Sequence, residues 1–359
     1  KTNDIFNMAM KLKELGVIDG IGMQSHLDVG YPNAQLYKTA LEKFISSGLE
    51  VQITELDITT DNFSTQAALY KEIFQLAVNN ADKITALTLW GTNDSISWRS
   101  NRNPLLFSAG YAPKEAYYAV VEVAKASNNN NDGDNNSEEE TLKNLFKDKF
   151  KIGTSVSPNE FSVGSDFIKK HFNSITPENE LKPDSIINQQ ACQSQGNNVN
   201  TQVVFNSGTQ TTLKFCEDNG IPLRGHTFVW YSQTPDWFFR ENFNSGGNYV
   251  SKDIMDQRLE SFIKNTFDLL ARSYPKLEVY AYDVANELFL NDGGGMRQAD
   301  NSNWVRIYGD DSFVIKAFTY ARKYAPKGCK LFINDYNEYI PNKTNDIFNM
   351  AMKLKELGV

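Results

Sequence analysis

The sequence predicts an α/β protein folded as a (β/α)8 TIM barrel, and two observations predict it. Eight short apolar stretches of strand length are separated by stretches of helical period along most of the chain. Polar and charged residues gather where these stretches end, as in QSH, TELD, ENELK, RGHT, ANE and NDY. Parallel strands need crossover helices, and a barrel collects its functional groups at the carboxyl ends of its strands. A doubly wound open sheet is the structural alternative, and it would leave so many polar strand ends unexplained.

Residues 1–17 carry Ile5, Met8, Leu12 and Leu15 on one helical face, begin with the capping types Asn3 and Asp4, and stop at Gly16. The same seventeen residues return unchanged at 343–359, so one helical slot has two candidate occupants. One copy is expected to dock and the other to be displaced, frayed or packed on a neighbouring molecule. Residues 19–27 (DGIGMQSHL) read as a strand ending in Gln24 and His26. Leu36, Ala40 and Phe44 mark a helix that Gly48 ends.

The strand 50–59 (EVQITELDIT) is apolar at Val51, Ile53, Leu56 and Ile58 and carries Glu55 and Asp57. A carboxylate on such a strand costs several kcal/mol if left unpaired in a dry interior, so it is partnered or functional. A helix with Leu69, Ile73 and Ala77 follows, then a strand at 84–90, a loop holding Trp90 and Trp98, and a helix at 114–126. Residues 127–140 (SNNNNDGDNNSEEE) contain no apolar side chain and read as a flexible linker.

Beyond it, a helix at 142–149 leads to strands at 151–156, 174–182, 221–230, 279–287 and 330–336, with the clearest intervening helix at 254–273. The strand at 279–287 (VYAYDVANE) repeats the arrangement of the first: apolar, then polar, with the carboxylate of Glu287 at its end. Two carboxylates at two strand ends form a testable pair.

The net charge of −8 and the absence of a Lys/Arg run disfavour nucleic acid as a partner. No continuous apolar run of about 18 residues is present to span a membrane. The chain opens on Lys1 without a signal-like apolar segment and so reads as a fragment. Cys192 and Cys216 flank a polar segment that a disulfide would close in an oxidising compartment, free thiols being the alternative; Cys329 is left over as a buried thiol. Sequons at Asn62, Asn93, Asn135 and Asn342 tilt the expectation slightly towards a secreted, extracellular protein.

The motifs ITELDI, DVANE, TPENELK, RGHTFVW, INDYN, GIGMQSHL and TLWGTNDSISW together resemble family 10 glycoside hydrolases, the retaining endo-β-1,4-xylanases. The likeness covers nearly everything but the linker and a polar insertion around residues 193–210. The family order is changed, because QSHL, TELD and LWG come first here. The resemblance therefore implies a circularly permuted barrel, strands 6-7-8-1-2-3-4-5, or a junction of two tandem domains. Residues 1–126 would supply strands six to eight, 141–342 strands one to five, and 343–359 a duplicate of the first helix, together making one catalytic domain. A monomer closing its own barrel is expected over helix exchange between chains.

By the same resemblance Glu55 is the nucleophile and Glu287 the acid/base, which a retaining mechanism places about 5–5.5 Å apart. His26 and Asp57, with Gln24, would support Glu55 in its ionised form, while Glu287 keeps a proton to donate. Asn286 matches the residue that bonds the sugar 2-hydroxyl. Glu178, Asn179, Lys182, His226 and Gln233 match the glycone-side polar set. Trp230, Trp90 and Trp98 match aromatic walls, and Tyr336 the leaving-group side. Tyr231 stands where the family commonly has histidine, and the polar insertion is placed to extend the glycone side or merely to decorate the surface.

The resemblance implies xylan or xylo-oligosaccharide as substrate and no metal or organic cofactor. A retaining β-1,4-glycanase acting on glucan or mannan and a carbohydrate-binding pseudoenzyme are the rival readings. A serine esterase is disfavoured because no G-x-S-x-G elbow occurs.

Overall fold

The computed structural model describes residue 16 and residues 18–128 and 140–357. Its strands are β1 (Gly20–Met23), β2 (His26–Asp28), β3 (Glu50–Thr59), β4 (Ile84–Leu89), β5 (Lys151–Val156), β6 (Ser174–Pro177), β7 (Leu223–Trp230), β8 (Val279–Asn286) and β9 (Lys330–Asp335). Each pairs in parallel with its neighbour from β3 through β9, and β1 pairs with both β3 and β9. The sheet is thereby closed. β2 continues the line of β1 along β3, after a break at Ser25, whose φ of 65° interrupts the ladder. Eight staves result, β1 and β2 sharing one.

Both faces of a barrel strand are covered, which is why these strands are apolar almost throughout. Every residue of β3 from Val51 to Thr59 is buried. The barrel interior nonetheless holds a polar group: Arg224 on β7 pairs with Asp283 on β8 and donates from Nε to Gln52 Oε1 on β3 at 2.9 Å. All three are buried. This pair braces adjoining staves below the mouth of the barrel, and Asp283 also meets His226 Nδ1 at 2.9 Å.

Amphipathic helices form the outer ring. The longest, Lys252–Ser273, is capped by Ser251 and buries Leu259, Phe262, Ile263 and Phe267. The helix Pro341–Glu356 is the second copy of the duplicated segment, and it docks. Ile347, Met350, Ala351 and Leu354 are buried, and the helix packs beside Ala34–Ile45 and β9. Lys343, at its start, is fully buried with its Nζ 2.8 Å from Asp335 Oδ1. The first copy, expected as a helix at 1–17, lies outside the described residues apart from Gly16, as do residues 129–139 of the expected linker.

Some boundaries differ from expectation. The stretch 174–182 is a strand only to Pro177, and Lys182 is instead the N-cap residue of the short helix Pro183–Ile186. The helix expected at 142–149 spans only Leu142–Leu145. The Cys192–Cys216 disulfide is not formed: both residues are free, buried thiols on separate helices. Cys192 Sγ is occupied by the backbone N–H of Gln202 at 3.1 Å, and an Ile187–Val203 bridge closes the segment without a covalent link. Cys329 is a buried free thiol as expected. No helix among the described residues is long and apolar enough to cross a membrane.

Candidate active site

A cleft of about 510 Å3 opens at the carboxyl ends of the strands. Glu55 reaches it from β3, and Glu287 follows the last residue of β8. Asn334, near the end of β9, lies next to β8 and one stave, β1, away from β3. Its Nδ2 donates to Glu55 Oε1 at 2.7 Å and to Asn286 Oδ1 at 3.0 Å. Gln24 Nε2 donates to Asn286 Oδ1 at 3.1 Å and to Glu287 Oε1 at 3.2 Å. Two amide side chains and Asn286 thus join the two carboxylates in one chain of hydrogen bonds.

Glu287 has a φ of 53°. A non-glycine residue in that left-handed region costs roughly 1–3 kcal/mol, which the surroundings must offset. They do so from several sides: its N–H donates to Asn334 O at 2.9 Å, and Trp230 Nε1 donates to its Oε2 at 2.8 Å. Gly22 makes room on the other flank, since a Cβ there would lie 2.4 Å from Asn334 Oδ1.

Glu55 is ringed by donors. His26 Nε2 is 3.1 Å from Glu55 Oε2, and His26 Nδ1 is 3.0 Å from Asp57 Oδ2. Asp57 is fully buried and lies behind His26, where Trp98 Nε1 donates to it at 2.8 Å and Arg99 at 3.1 Å. Burial alone would raise the Glu55 pKa, but the His26 bond, the nearby His226 and His26 charges and the Asn334 bond outweigh it, bringing it down to about 2. For His26, burial works against the charged form, yet Asp57 and Glu55 prevail and push it up to about 10. A carboxylate beside a captive imidazolium stays ionised across the physiological range.

On the opposite side of the cleft, Lys182 Nζ donates to Asn179 Oδ1 at 3.0 Å and to Gln233 Oε1 at 2.9 Å, and lies 4.9 Å from the centroid of the Trp230 ring. Burial lowers the Lys182 pKa against the opposing pull of Glu55, Glu178 and Glu287. Burial also raises Glu178, with Lys182 opposing it. Such a fan of amides, an ammonium and carboxyls suits an uncharged polyhydroxylated ligand. The His26 ring meets Trp90 and Trp98 edge-on, with centroids 6.2 and 5.0 Å away. Trp98 is 56 % exposed and stands at the rim.

Gln24, His26, Glu55, Asn286 and Glu287 all line this one cleft, as do Glu178, Asn179, Lys182, His226 and Gln233 and the rings of Trp90, Trp98, Trp230 and Tyr336. Residues 193–210, expected either to extend the glycone side or to decorate the surface, contribute nothing to its lining. They are held against the helix Lys252–Ser273 instead, where buried Arg258 donates from Nε to Asn198 O at 2.7 Å. Asn334, Arg99, Arg297 and the cleft-lining Asn337 went unassigned from sequence. Asn334 stood in the noted INDYN motif, Arg99 directly follows Trp98, and Arg297 lies past a run of three glycines with no periodicity to mark it.

Residues 1–123 and 141–359 match the glycosyl hydrolase family 10 model. The chain belongs to this family. Among its relatives, the bifunctional endo-1,4-beta-xylanase XylA of Ruminococcus flavefaciens is 74 % identical over 219 residues, covering 61 % of this chain and 23 % of that protein. Endo-1,4-beta-xylanase Y of Acetivibrio thermocellus is 46 % identical over 232 residues, covering 61 % of this chain and 21 % of its own length. The family 10 chain thus spans less than a quarter of these relatives. The N-terminal endo-1,4-beta-D-xylanase 10B of Clostridium thermocellum, solved with xylohexaose, superposes with a TM-score of 0.56 at 43 % identity, over 62 % of this chain and 45 % of that one. The intracellular xylanase TsXylA of Thermoanaerobacterium saccharolyticum gives a TM-score of 0.52 at 32 % identity, over 62 % and 65 %.

Proposed function

We propose that this chain hydrolyses internal β-1,4-xylosidic linkages of xylan with retention of configuration. The observation that carries the reading is the hydrogen-bonded chain from Glu55 through Asn334, Asn286 and Gln24 to Glu287, with the Glu55 end held ionised. In the first step Glu55 attacks the anomeric carbon, the glycosidic C–O bond breaks, and the proton of Glu287 passes to the departing oxygen. In the second, Glu287 takes a proton from water, whose oxygen bonds the anomeric carbon as the bond to Glu55 breaks.

The groups that touch the two carboxylates follow from this chemistry. Charge on Glu55 is consumed in the first transition state, so His26 and Asn334 must orient it without needing to move. Asn286 is placed beside both carboxyls, where a contact to the sugar 2-hydroxyl would strengthen as the ring flattens. Lys182, Asn179 and Gln233 would hold hydroxyls on the glycone side, and the Trp90 and Trp98 rings would close over C5 of a pentose, which carries no hydroxymethyl group.

The named relatives support xylan over glucan, and the reading needs neither metal nor organic cofactor. Closure of β9 onto β1 within one chain supports a monomer and a permuted or tandem-junction order; secretion stays part of the proposal. The test compares release of reducing ends from xylan and from carboxymethylcellulose, with proton NMR of the first products. Early β-anomer from xylan, and little release from the cellulose, is the expected result. Early α-anomer would refute retention, and preference for the cellulose would refute the substrate.

A further inference from the structure

The connection after β8 carries a cation to which the catalytic scheme gives no part. Arg297 is 5 % exposed and anchored by its own backbone, its N–H donating to Leu288 O at 3.0 Å. Its side chain splits three ways. Nε donates to the backbone carbonyl of Glu287 at 2.8 Å, and Nη2 donates to Tyr336 Oη at 3.0 Å and to Asn291 Oδ1 at 3.3 Å. The guanidinium lies 3.7 Å from the centroid of the Tyr231 ring. Tyr231 and Tyr336 both line the cleft.

The backbone of Glu287 is therefore gripped on both sides of its Cα. Its N–H goes to Asn334 O on β9, its carbonyl to Arg297, and between them the residue sits at a φ of 53°. A non-glycine residue in the left-handed region is disfavoured on its own, and β9 holds only its N–H, so its carbonyl is held from outside the sheet by Arg297. We propose that Arg297 is a positioning residue that fixes the aim of the Glu287 carboxyl and braces Tyr231 and Tyr336 as the wall facing the leaving group. The geometry suits arginine alone, because the bond to a carbonyl and the bond to a phenol come from different nitrogens of one planar fork. It also gives a place to Tyr231, whose ring is the platform under that fork.

This inference rests on Glu287 being the acid, and the experiment separates the two. An alkoxide leaving from a xylo-oligosaccharide needs the proton; a 2,4-dinitrophenolate does not. For Arg297→Ala, kcat/KM on xylotetraose should fall roughly 10- to 100-fold, the size expected for a reacting group misplaced by about 1 Å. On 2,4-dinitrophenyl β-xylobioside it should fall less than about threefold. Arg297→Lys should show the same contrast in milder form, and serves as the test if the alanine variant does not fold by circular dichroism. Equal losses on both substrates, no loss on either, or full restoration by lysine would overturn the positioning role. Glu287→Ala run on the same pair is the reference. If it shows the contrast and Arg297 does not, only this inference fails; if it shows none, the acid assignment itself fails.

Discussion

Asn334 and Glu55, one on β9 and one on β3, are joined by a 2.7 Å hydrogen bond from amide Nδ2 to carboxylate Oε1. Because those strands are separated only by β1, the bond crosses the barrel mouth over Gly22, where no side chain intervenes. Thr54 Oγ1 donates to the amide oxygen at 2.6 Å, leaving Nδ2 to face Glu55. Replacing Asn334 by Ala should cost about 1.5–3 kcal/mol of orientation of a charged group, or roughly 10- to 100-fold in kcat/KM. Asn334→Asp should add a like charge that raises the Glu55 pKa from about 2, shifting the acid limb of the pH profile upwards. A profile that leaves that limb in place would count against the bond's importance.

His26 should matter for the same reason from the other oxygen. In His26→Ala, Glu55 loses its largest stabiliser, so its pKa rises and the acid limb moves towards neutrality, while Asp57 keeps Arg99 and the Trp98 indole as partners. Titration of kcat/KM would show this. An unchanged acid limb would mean that His226 and Asn334 suffice.

Stability should peak in mild acid. Burial pushes the Glu160 and Glu338 carboxyls up to about 7 from an ordinary 4.5. A group whose folded pKa is raised contributes fully below the unfolded value and loses that contribution as pH climbs through the folded one. His26 adds a loss between about 6.5 and 10, for the same reason. Glu55, depressed to about 2, contributes above 4.5 and loses it as pH falls further. The melting temperature should therefore be highest near pH 4.5–5 and decline towards neutrality, and Glu338→Gln should flatten that decline. A flat profile in the unaltered protein would refute the argument.

The Lys343–Asp335 pair ties the docked helix Pro341–Glu356 to the end of β9, next to Asn334. Both side chains are fully buried. Lys343→Met leaves a buried carboxyl without its partner and should cost about 3–5 kcal/mol in denaturant unfolding. A change under about 1 kcal/mol would show that Asp335, already pushed up to about 6 by burial, simply takes a proton.

The barrel was legible because its signals are repeated. Strands buried on both faces read as apolar runs, and β3 and β5 match their expected limits, 50–59 and 151–156, at both ends. Where backbone geometry departs from the ladder, composition was silent: Ser25 at a φ of 65° splits the expected strand 19–27, and nothing in QSH announces it. The two carboxylates stood out because charge is costly on an apolar strand. Asn334 did not, since a neutral amide carries no such penalty, and Arg297 did not, since its partners are a carbonyl, a phenol and a ring. Between a Cys192–Cys216 disulfide and free thiols the sequence could not decide, because two cysteines flanking a loop say nothing of which way two separate helices turn their thiols; both are free.

Retention by double displacement requires that Glu55 become covalently bonded to sugar. Incubation with 2,4-dinitrophenyl 2-deoxy-2-fluoro-β-xylobioside, whose fluorine slows both steps while its good leaving group restores the rate of the first alone, should trap that species. Mass spectrometry of the intact chain should show one added fluoroxylobiosyl group, and peptide mapping should place it on Glu55. A label on any other residue, or steady turnover of xylan with no trapped species and inverted product, would contradict the account.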